Sequence, residues 1–140
     1  MYKRQAYLST KHESHIAARG LLNGCARANC RTASADEASV YLGCAAKSGG
    51  IPFVGSTTQF LLRPDKPWKS GGGKKAPKYR TPVGEYDAFL PQHPTDKNYW
   101  EPENLKQHCY RIDDRPYLLI TEGAFKAIAG CSHDLPKKWV

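Results

Sequence analysis

A single carboxylate, Glu122, lies where the sequence changes from an apolar run to a helix-forming run. Residues 117–121 have the composition of a β-strand, Gly123 permits a sharp turn, and residues 124–129 favour a helix. A carboxylate at such a junction is close to the positive N-terminus of the helix, where it could bind Mg²⁺ through oxygen or move a proton. The alternative is that Glu122 only contributes a favourable charge at the start of the helix. Glu122 is therefore the candidate catalytic and metal-binding residue.

A strongly basic segment is the second feature with chemical potential. The chain has a formal net charge of +8, and residues 63–80 contain seven basic residues against one acid, Asp65. Prolines and glycines within this segment disfavour a helix or a central strand, so we expect a loop. Cations that alternate with aromatic rings, here those of Trp68 and Tyr79, can bind phosphate backbones and stack on bases. The alternative is a solvated flexible loop whose lysines serve only solubility. The candidate nucleic-acid or phosphate contacts are Arg63, Lys66, Trp68, Lys74, Lys75, Lys78, Tyr79, Arg80 and Lys126.

The cysteines form no recognisable metal motif. Their number is odd and their spacing irregular: Cys25, Cys30, Cys44, Cys109 and Cys131. Cys25 and Cys30 are close in sequence, and His12 and His15 upstream make a mixed cluster conceivable. A structural zinc site needs two well-spaced ligand pairs, however, so we expect free thiols and regard zinc as unlikely.

The composition also bears on the cellular location. No apolar run approaches the ~18 residues of a membrane-spanning helix. The basic N-terminal residues are not followed by the apolar stretch of a signal peptide. We therefore expect a cytoplasmic protein with no membrane partner.

A length of 140 residues fits one domain, and helices are indicated in its N-terminal third. Ser9 is a suitable N-cap for a helix that Gly20 would end. Residues 21–33 suggest a connection with a turn. Ser34 and Glu37 have the spacing of a capping box and predict a second helix.

The remainder of the sequence predicts short strands and one further helix. Two β-prone runs, 50–55 and 56–63, flank a Gly-Ser turn and indicate a hairpin. We also expect brief strands at 78–81 and 86–90, a helical turn at 103–109 and a turn at 112–115. Gly130 is the expected C-cap of the last helix.

Several of these segments together resemble a known family. The run LITEGAFKA at 119–127 resembles the opening motif of the Toprim domain, which DnaG-type primases, topoisomerases and related nucleases share. The segments GIPFVG at 50–55, QFLLR at 59–63 and PKYRTP at 77–82 resemble the region that precedes Toprim in DnaG-type primases and in primase-like plasmid replication proteins. The resemblance extends over about residues 8–136.

The resemblance implies an α+β fold with a small mixed sheet, β-hairpins and a C-terminal strand–helix unit like the start of a Toprim domain. It divides the chain into a primase-like part, 1–110, which contains the basic loop 63–80, and a partial Toprim unit, 111–140. It implies that Glu122 corresponds to the Toprim catalytic acid and that Arg63, Lys78 and Tyr79 hold template DNA or nucleotides. It also implies Mg²⁺ as cofactor.

The sequence departs from the family pattern in one important respect. Complete Toprim domains carry a later Asp-x-Asp motif that supplies further metal ligands, and this sequence contains none. The expected function is therefore a primase-like nucleic-acid-binding module of a plasmid or phage replication protein, catalytically incomplete alone, with single-stranded DNA or nucleotides as partners. Three alternatives remain open: a pure single-strand binder, half of a split nucleotidyltransferase whose other acids come from a second replication protein, and an adaptor or inhibitor that mimics half of a primase.

Overall fold

The computed structural model of the protein describes residues 8–21, 24–56, 60–72, 75–84, 88–108, 110–117 and 120–132. Within these residues the chain is an α+β protein, as expected. Its elements in chain order are α1 (Thr10–Ala17), α2 (Gly24–Asn29), α3 (Ala35–Leu42), β1 (Gly50–Val54), β2 (Phe60–Pro64), α4 (Pro102–His108), β3 (Tyr110–Ile112), β4 (Arg115–Tyr117) and α5 (Ala124–Ser132). Lys74 and Cys109 lie outside the described residues, as do parts of the expected strands at 86–90 and 117–121.

Capping residues define the start of two helices, which confirms both sequence predictions. The Ser9 hydroxyl accepts a hydrogen bond from the backbone N–H of His12 at the start of α1. In α3, the Ser34 hydroxyl accepts from Glu37 N–H at 3.2 Å, and Ser34 N–H donates to the Glu37 carboxylate at 2.8 Å. This reciprocal pair satisfies two backbone donors that a helix N-terminus otherwise leaves unpaired.

The predicted hairpin is present. Strands β1 and β2 pair antiparallel, with Ile51 opposite Arg63. Three single bridges extend this hairpin: Gly50 pairs with Ala33, Phe53 with Cys30, and Leu62 with Arg80. The brief strand expected at 78–81 is therefore reduced to the single bridge at Arg80.

The described strands form two separate antiparallel pairs, so the expected single mixed sheet is not observed. The second pair, β3 and β4, is joined by Asp113 and Asp114, which confirms the turn predicted there. Both residues have positive φ angles, 47° and 62°, as the central positions of a type I′ hairpin turn require.

Other expected elements differ from the structure. Residues 21–33 contain the helix α2, and α5 continues through Gly130 to Ser132 instead of ending there. Of the expected strand 117–121, Tyr117 belongs to β4, whereas Ile120 and Thr121 are not in a strand. Ile120 is 85% exposed and so lacks the packing that would favour extended pairing.

The main core joins α1, α2, β1 and α5 around Phe53, which is fully buried. The Phe53 ring meets Phe125 of α5 edge-to-face, with centroids 4.8 Å apart, and also contacts Tyr79 and Phe89 at 6.0 and 6.3 Å. Aromatic pairs in these geometries add about 0.5–1.5 kcal/mol each beyond simple burial. Tyr79 of the basic segment and Phe125 of α5 thus pack against the same ring, that of Phe53.

We predict that Gly50→Ala destabilises the fold by about 1–3 kcal/mol, because a methyl group at that position overpacks the hairpin. A Cβ on Gly50 would lie 2.2 Å from the carbonyl oxygen of Arg63. Gly72→Ala is the matched control, since a Cβ there meets no atom within 4 Å. Urea unfolding followed by circular dichroism measures both changes. Equal stability of the two variants would contradict the close approach of β1 and β2.

Candidate nucleic-acid interface

A pocket of about 450 Å³ lies between α1, the β1–β2 hairpin and the basic segment. Its size is within the range of small-molecule sites. The lining is mainly cationic and polar, with Asp65 as the acidic lining residue among the residues described. The residues that line it are Lys11, His12, Ser14, His15, Ile51, Arg63, Pro64, Asp65, Pro67 and Lys78.

The buried side chain of His12 forms the base of this region. Its Nδ1 lies 2.8 Å from Thr32 Oγ1, and its Nε2 lies 2.9 Å from Asp65 Oδ1. Thr32 Oγ1 also accepts a hydrogen bond from the backbone N–H of Ser9 at 2.7 Å. Because the ionised Asp65 carboxylate can only accept, Nε2 donates to it, and in the neutral ring Nδ1 accepts from the Thr32 hydroxyl. This relay joins α1, the segment before α3 and the start of the basic segment.

Asp65 is held by two partners on α1. Lys11 Nζ lies 2.8 Å from Asp65 Oδ2, and His12 contacts the other carboxylate oxygen. Partial burial alone would raise the pKa of Asp65, but the hydrogen bonds from Lys11 and His12 outweigh it and hold the pKa below its usual value. The carboxylate is thus ionised at neutral pH and its two oxygens are engaged within the protein.

Arg63 is fixed between two aromatic rings. Its guanidinium carbon is 5.6 Å from the centroid of the Tyr79 ring and 5.7 Å from that of Phe125. Its Nη1 donates to the Tyr79 hydroxyl at 3.4 Å. Because rings on two elements support the guanidinium, its charge is directed towards the pocket with little freedom left to lose on binding a ligand. The structure therefore brings together Arg63, Tyr79 and Lys78, three of the predicted contact residues.

Arg80 and Trp68 have an internal role. The Arg80 guanidinium lies 4.5 Å above the Trp68 ring and donates to the Trp68 carbonyl oxygen and to the Ser70 hydroxyl. Trp68 in turn packs against the second core cluster, formed by Ala33, Ala38, Leu42 and Leu62. These contacts fold the basic segment back onto the hairpin, and base stacking by Trp68 or phosphate binding by Arg80 stays a prediction.

Three of the lysines predicted as contacts in the basic segment remain on the surface. The structure shows Lys66, Lys75 and Lys78 exposed, and Lys78 also lines the pocket. Lys74, the fourth predicted lysine, lies outside the described residues. Their exposure leaves the ammonium groups open to a ligand, and their role as nucleic-acid contacts stays a prediction.

The candidate acid Glu122 lies on the surface at the start of α5. Its side chain is 82% exposed and pairs with Lys126, one turn along the helix. The hydrogen bond from Lys126 lowers the pKa of Glu122, and the charge of Lys78 contributes a smaller effect in the same direction. Glu122 and the basic segment are therefore close enough to interact electrostatically. Lys126, predicted as a phosphate contact, is engaged with Glu122.

The described residues near Glu122 do not fit a Mg²⁺ site. In the part of the chain that the structure describes, no group of three or more His, Cys, Asp or Glu side chains could hold a metal ion. A single exposed carboxylate that already pairs with Lys126 offers Mg²⁺ too few oxygens for octahedral coordination. The catalytic and magnesium roles of Glu122 therefore stay predictions.

Two neighbouring cysteines contribute to packing. Cys25 and Cys30 are 2% and 1% exposed and belong to the main core as reduced cysteines. Burial raises the pKa of Cys30 to about 12, so this thiol stays protonated and unreactive at neutral pH. His12, the nearest predicted zinc-ligand candidate, is bonded to Thr32 and Asp65 instead.

Helix α1 supplies site residues that the sequence reasoning missed. Lys11, His15 and Arg19 follow one another at intervals of four residues, a spacing that places them on the same side of a helix. The Arg19 guanidinium lies 4.8 Å from the centroid of the Phe125 ring, and its Nε donates to His15 Nε2 at 3.3 Å. The sequence signal for these residues is the basic pattern at positions i, i+4 and i+8. It is easy to overlook because no recognisable motif lies nearby.

Comparison of the chain with known proteins found no match to a family model, to a curated protein or to a solved structure. The likeness to primases and to the Toprim motif thus rests on the sequence segments alone. Across the described ranges, no helix combines the length and apolar character needed to cross a membrane.

We predict that Arg80→Lys lowers the unfolding free energy by about 1–2 kcal/mol. An ammonium group cannot stack on Trp68 as a guanidinium does, and it cannot donate in the same fork geometry to both the Trp68 carbonyl oxygen and the Ser70 hydroxyl. Lys75→Gln, an exposed change in the same segment, should lie within about 0.5 kcal/mol of wild type. Chemical denaturation measures both. Unchanged stability of Arg80→Lys, combined with weaker nucleic-acid binding, would favour the original phosphate-binding assignment.

We also predict a pH-dependent contribution from Asp65. Because its pKa is lower in the folded than in the unfolded protein, ionised Asp65 stabilises the fold above the usual aspartate pKa, and this stabilisation is lost as the pH falls through the folded value. The stability advantage of wild type over Asp65→Asn should be full at pH 5 and shrink towards pH 2.5. Urea titrations across this range measure it. A difference that does not vary with pH would show that the carboxylate charge is not involved.

Proposed function

We propose that this protein is a nucleic-acid-binding module of a replication protein, with a primase-like arrangement of a basic hairpin and segment preceding a C-terminal helix. The observation that carries this proposal is the pocket that Arg63 of β2 and Lys78 of the basic segment both line, beside the Lys11–Asp65 ion pair. Clustered cations of this kind attract phosphate backbones and release condensed counterions on binding.

The charge distribution supports an anionic partner over a neutral one. Asp65, the acid in the pocket, is engaged by Lys11 and His12, and so it does not neutralise Arg63 or Lys78. Among the described residues, Arg63 and Lys78 form no ion pair of their own. Exposed Lys66 and Lys75 extend the positive surface along the segment. A strand that crosses this surface would meet cations along several successive phosphates.

Aromatic contacts define what the surface can recognise. The rings of Tyr79 and Phe125 support Arg63 and pack against Phe53, so their faces are largely used inside the protein. Binding through phosphates therefore outweighs base stacking in this proposal. Phosphate contacts carry no direct sequence information, so we expect low sequence preference.

A catalytic role would need acids from outside the described residues. Glu122 is close to the cationic surface, which is where a nucleotidyl-transfer acid would act, but it stands alone there. A second replication protein or another chain segment that supplies an Asp-x-Asp pair would be required for Mg²⁺-dependent transfer. The single-strand-binding function needs no such addition.

A second candidate function, protein–protein adaptor, is favoured by exposed apolar residues. Val83 and Ile120 are 89% and 85% exposed, and Tyr117 is 46% exposed. Side chains of this type at the surface can contribute to a protein interface. An adaptor would bind another protein tightly and single strands weakly or without salt dependence.

We predict that Lys75→Gln/Lys78→Gln weakens binding to oligothymidylate and reduces the magnitude of the log–log salt slope by up to about 1.4, or about 0.7 per lost single-strand contact. Lys47→Gln/Lys97→Gln removes the same charge from exposed lysines outside the segment and is the matched control. Fluorescence anisotropy at several salt concentrations measures both variants. Equal slopes for the two double variants would refute the assigned surface and favour the adaptor.

We further predict that Glu122→Gln leaves oligothymidylate affinity within about twofold of wild type, since Glu122 is exposed and its charge is balanced by Lys126. The same anisotropy assay measures it. If Mg²⁺ increases binding by wild type and not by Glu122→Gln, a metal role for this carboxylate is supported.

A further inference from the structure

We propose that the pocket between α1 and the hairpin is a discrete phosphate site, in which Arg63 and Lys78 provide positive charge and His15 takes up a proton when the phosphate binds. This inference deepens the proposed function and rests on it for the source of the phosphate, a nucleic-acid strand. The shared chemistry is a phosphate oxyanion, which could also belong to a strand terminus or to free phosphate.

The cations that line the pocket favour an oxyanion as its ligand. Arg63 belongs to β2 and Lys78 to the end of the basic segment, and both line the pocket together with His15 of α1. A phosphate presents oxygens in several directions and can meet cations from separate segments at once, whereas a carboxylate presents its two oxygens in one plane. Arg63 is positioned by the rings of Tyr79 and Phe125, and it therefore needs little reorganisation to bind.

The acids nearby leave this positive charge largely uncompensated. Asp65 is bonded to Lys11 and His12 on α1. Glu122 interacts first with Lys126, and its interaction with Lys78 is a minor one. Within the described residues, the excess charge of Arg63 and Lys78 therefore remains available to an incoming anion.

His15 is the group that links phosphate binding to pH. The charged or titratable groups that face it are His12 of α1, Arg19 in the turn after α1, Arg63 of β2 and Asp65 of the basic segment, and the Phe125 ring of α5 packs beside it. Its Nε2 accepts a hydrogen bond from Arg19, which holds the neutral ring with its proton on Nδ1. Burial, followed by the charges of Arg19, Arg63 and His12, lowers the pKa of His15 in the free protein, and Asp65 opposes this only weakly.

An anion in the pocket reverses the balance at His15. Its negative charge offsets the repulsion from Arg19 and Arg63, so the protonated imidazole becomes more favourable and its pKa rises on binding. Binding must then take up a proton, and by linkage affinity increases as the pH falls through the range between the free and bound pKa values. Each unit by which binding raises the pKa of His15 increases the affinity for the anion at most tenfold.

The test compares wild type with His15→Gln, using an internal phosphodiester as the first probe. Oligothymidylate without a terminal phosphate has no group that titrates between pH 5 and 8, so any pH dependence comes from the protein. We expect the affinity of wild type to rise several-fold from pH 7.5 to pH 5.5 and that of His15→Gln to change much less. Identical pH profiles would overturn the proposal.

Histidine NMR provides a readout that does not depend on the strength of strand binding. The imidazole signals of His15 should shift with added ligand, and their titration midpoint should move to higher pH. Lys78→Gln should reduce this movement, and Lys47→Gln, an exposed lysine that does not line the pocket, should not. A His15 midpoint that stays constant at saturating ligand would also overturn the proposal.

Three probes distinguish the source of the phosphate and separate this inference from the proposed function. A 5′-phosphorylated oligothymidylate that binds more tightly than the unphosphorylated strand assigns the pocket to strand ends. Inorganic phosphate that moves the His15 midpoint, in a protein that binds no strand, supports the phosphate site and refutes the nucleic-acid function. Strand binding that leaves His15 unaffected supports the function and refutes the pocket.

Discussion

The hydrogen bond between the buried imidazole of His12 and the partly exposed carboxylate of Asp65 is the interaction on which the site depends. It joins residues 53 positions apart and brings α1 against the start of the basic segment. Thr32, bonded to the other imidazole nitrogen, extends this connection to the chain before α3. Because His12 is 4% exposed, breaking one of its bonds would leave a polar group unsatisfied in the protein interior, which is expensive. The hydrogen bonds of His12 therefore stabilise one side of the pocket independently of the surface charges that line it.

A second constraint comes from aromatic packing around Phe53. This ring lies at the centre of the core and contacts Tyr79 at the end of the basic segment and Phe125 on α5. Those two rings in turn support the Arg63 guanidinium. Hydrophobic packing thus positions a charged group at the pocket, and the rigid core reduces the entropy that Arg63 loses on binding. The Arg80–Trp68 contact performs a similar task further along, because it joins Trp68 to Arg80, which is itself bridged to Leu62 of the hairpin.

Much of the local structure could be predicted from sequence because its causes are local. Ser9, and Ser34 with Glu37, begin helices through hydrogen bonds to residues three positions away, and the turn at Asp113 and Asp114 closes within four residues. Helix α2 was missed because Gly24 and Asn29 are poor helix formers, and the helix depends on distant partners. The Asn29 amide donates to the Gln92 carbonyl oxygen, and its oxygen accepts from Gln92 N–H. No local signal in residues 21–33 reveals a partner so far along the chain.

The candidate site shows the same division between local and distant causes. The residue types of the basic segment, its excess of positive charge and its incompatibility with regular structure follow from composition, since charge and proline geometry are properties of the residues themselves. The roles within that segment follow from contacts across the fold, which separate Arg80 and Trp68, bonded to each other, from Arg63 and Lys78, which line the pocket. The contribution of Lys11 and His15 is equally a matter of tertiary structure, because a helical stripe acquires a chemical role only when packing places it opposite other charges. Side-chain chemistry is local information, whereas the electrostatic field at a site is a sum over groups that the folded chain alone brings together.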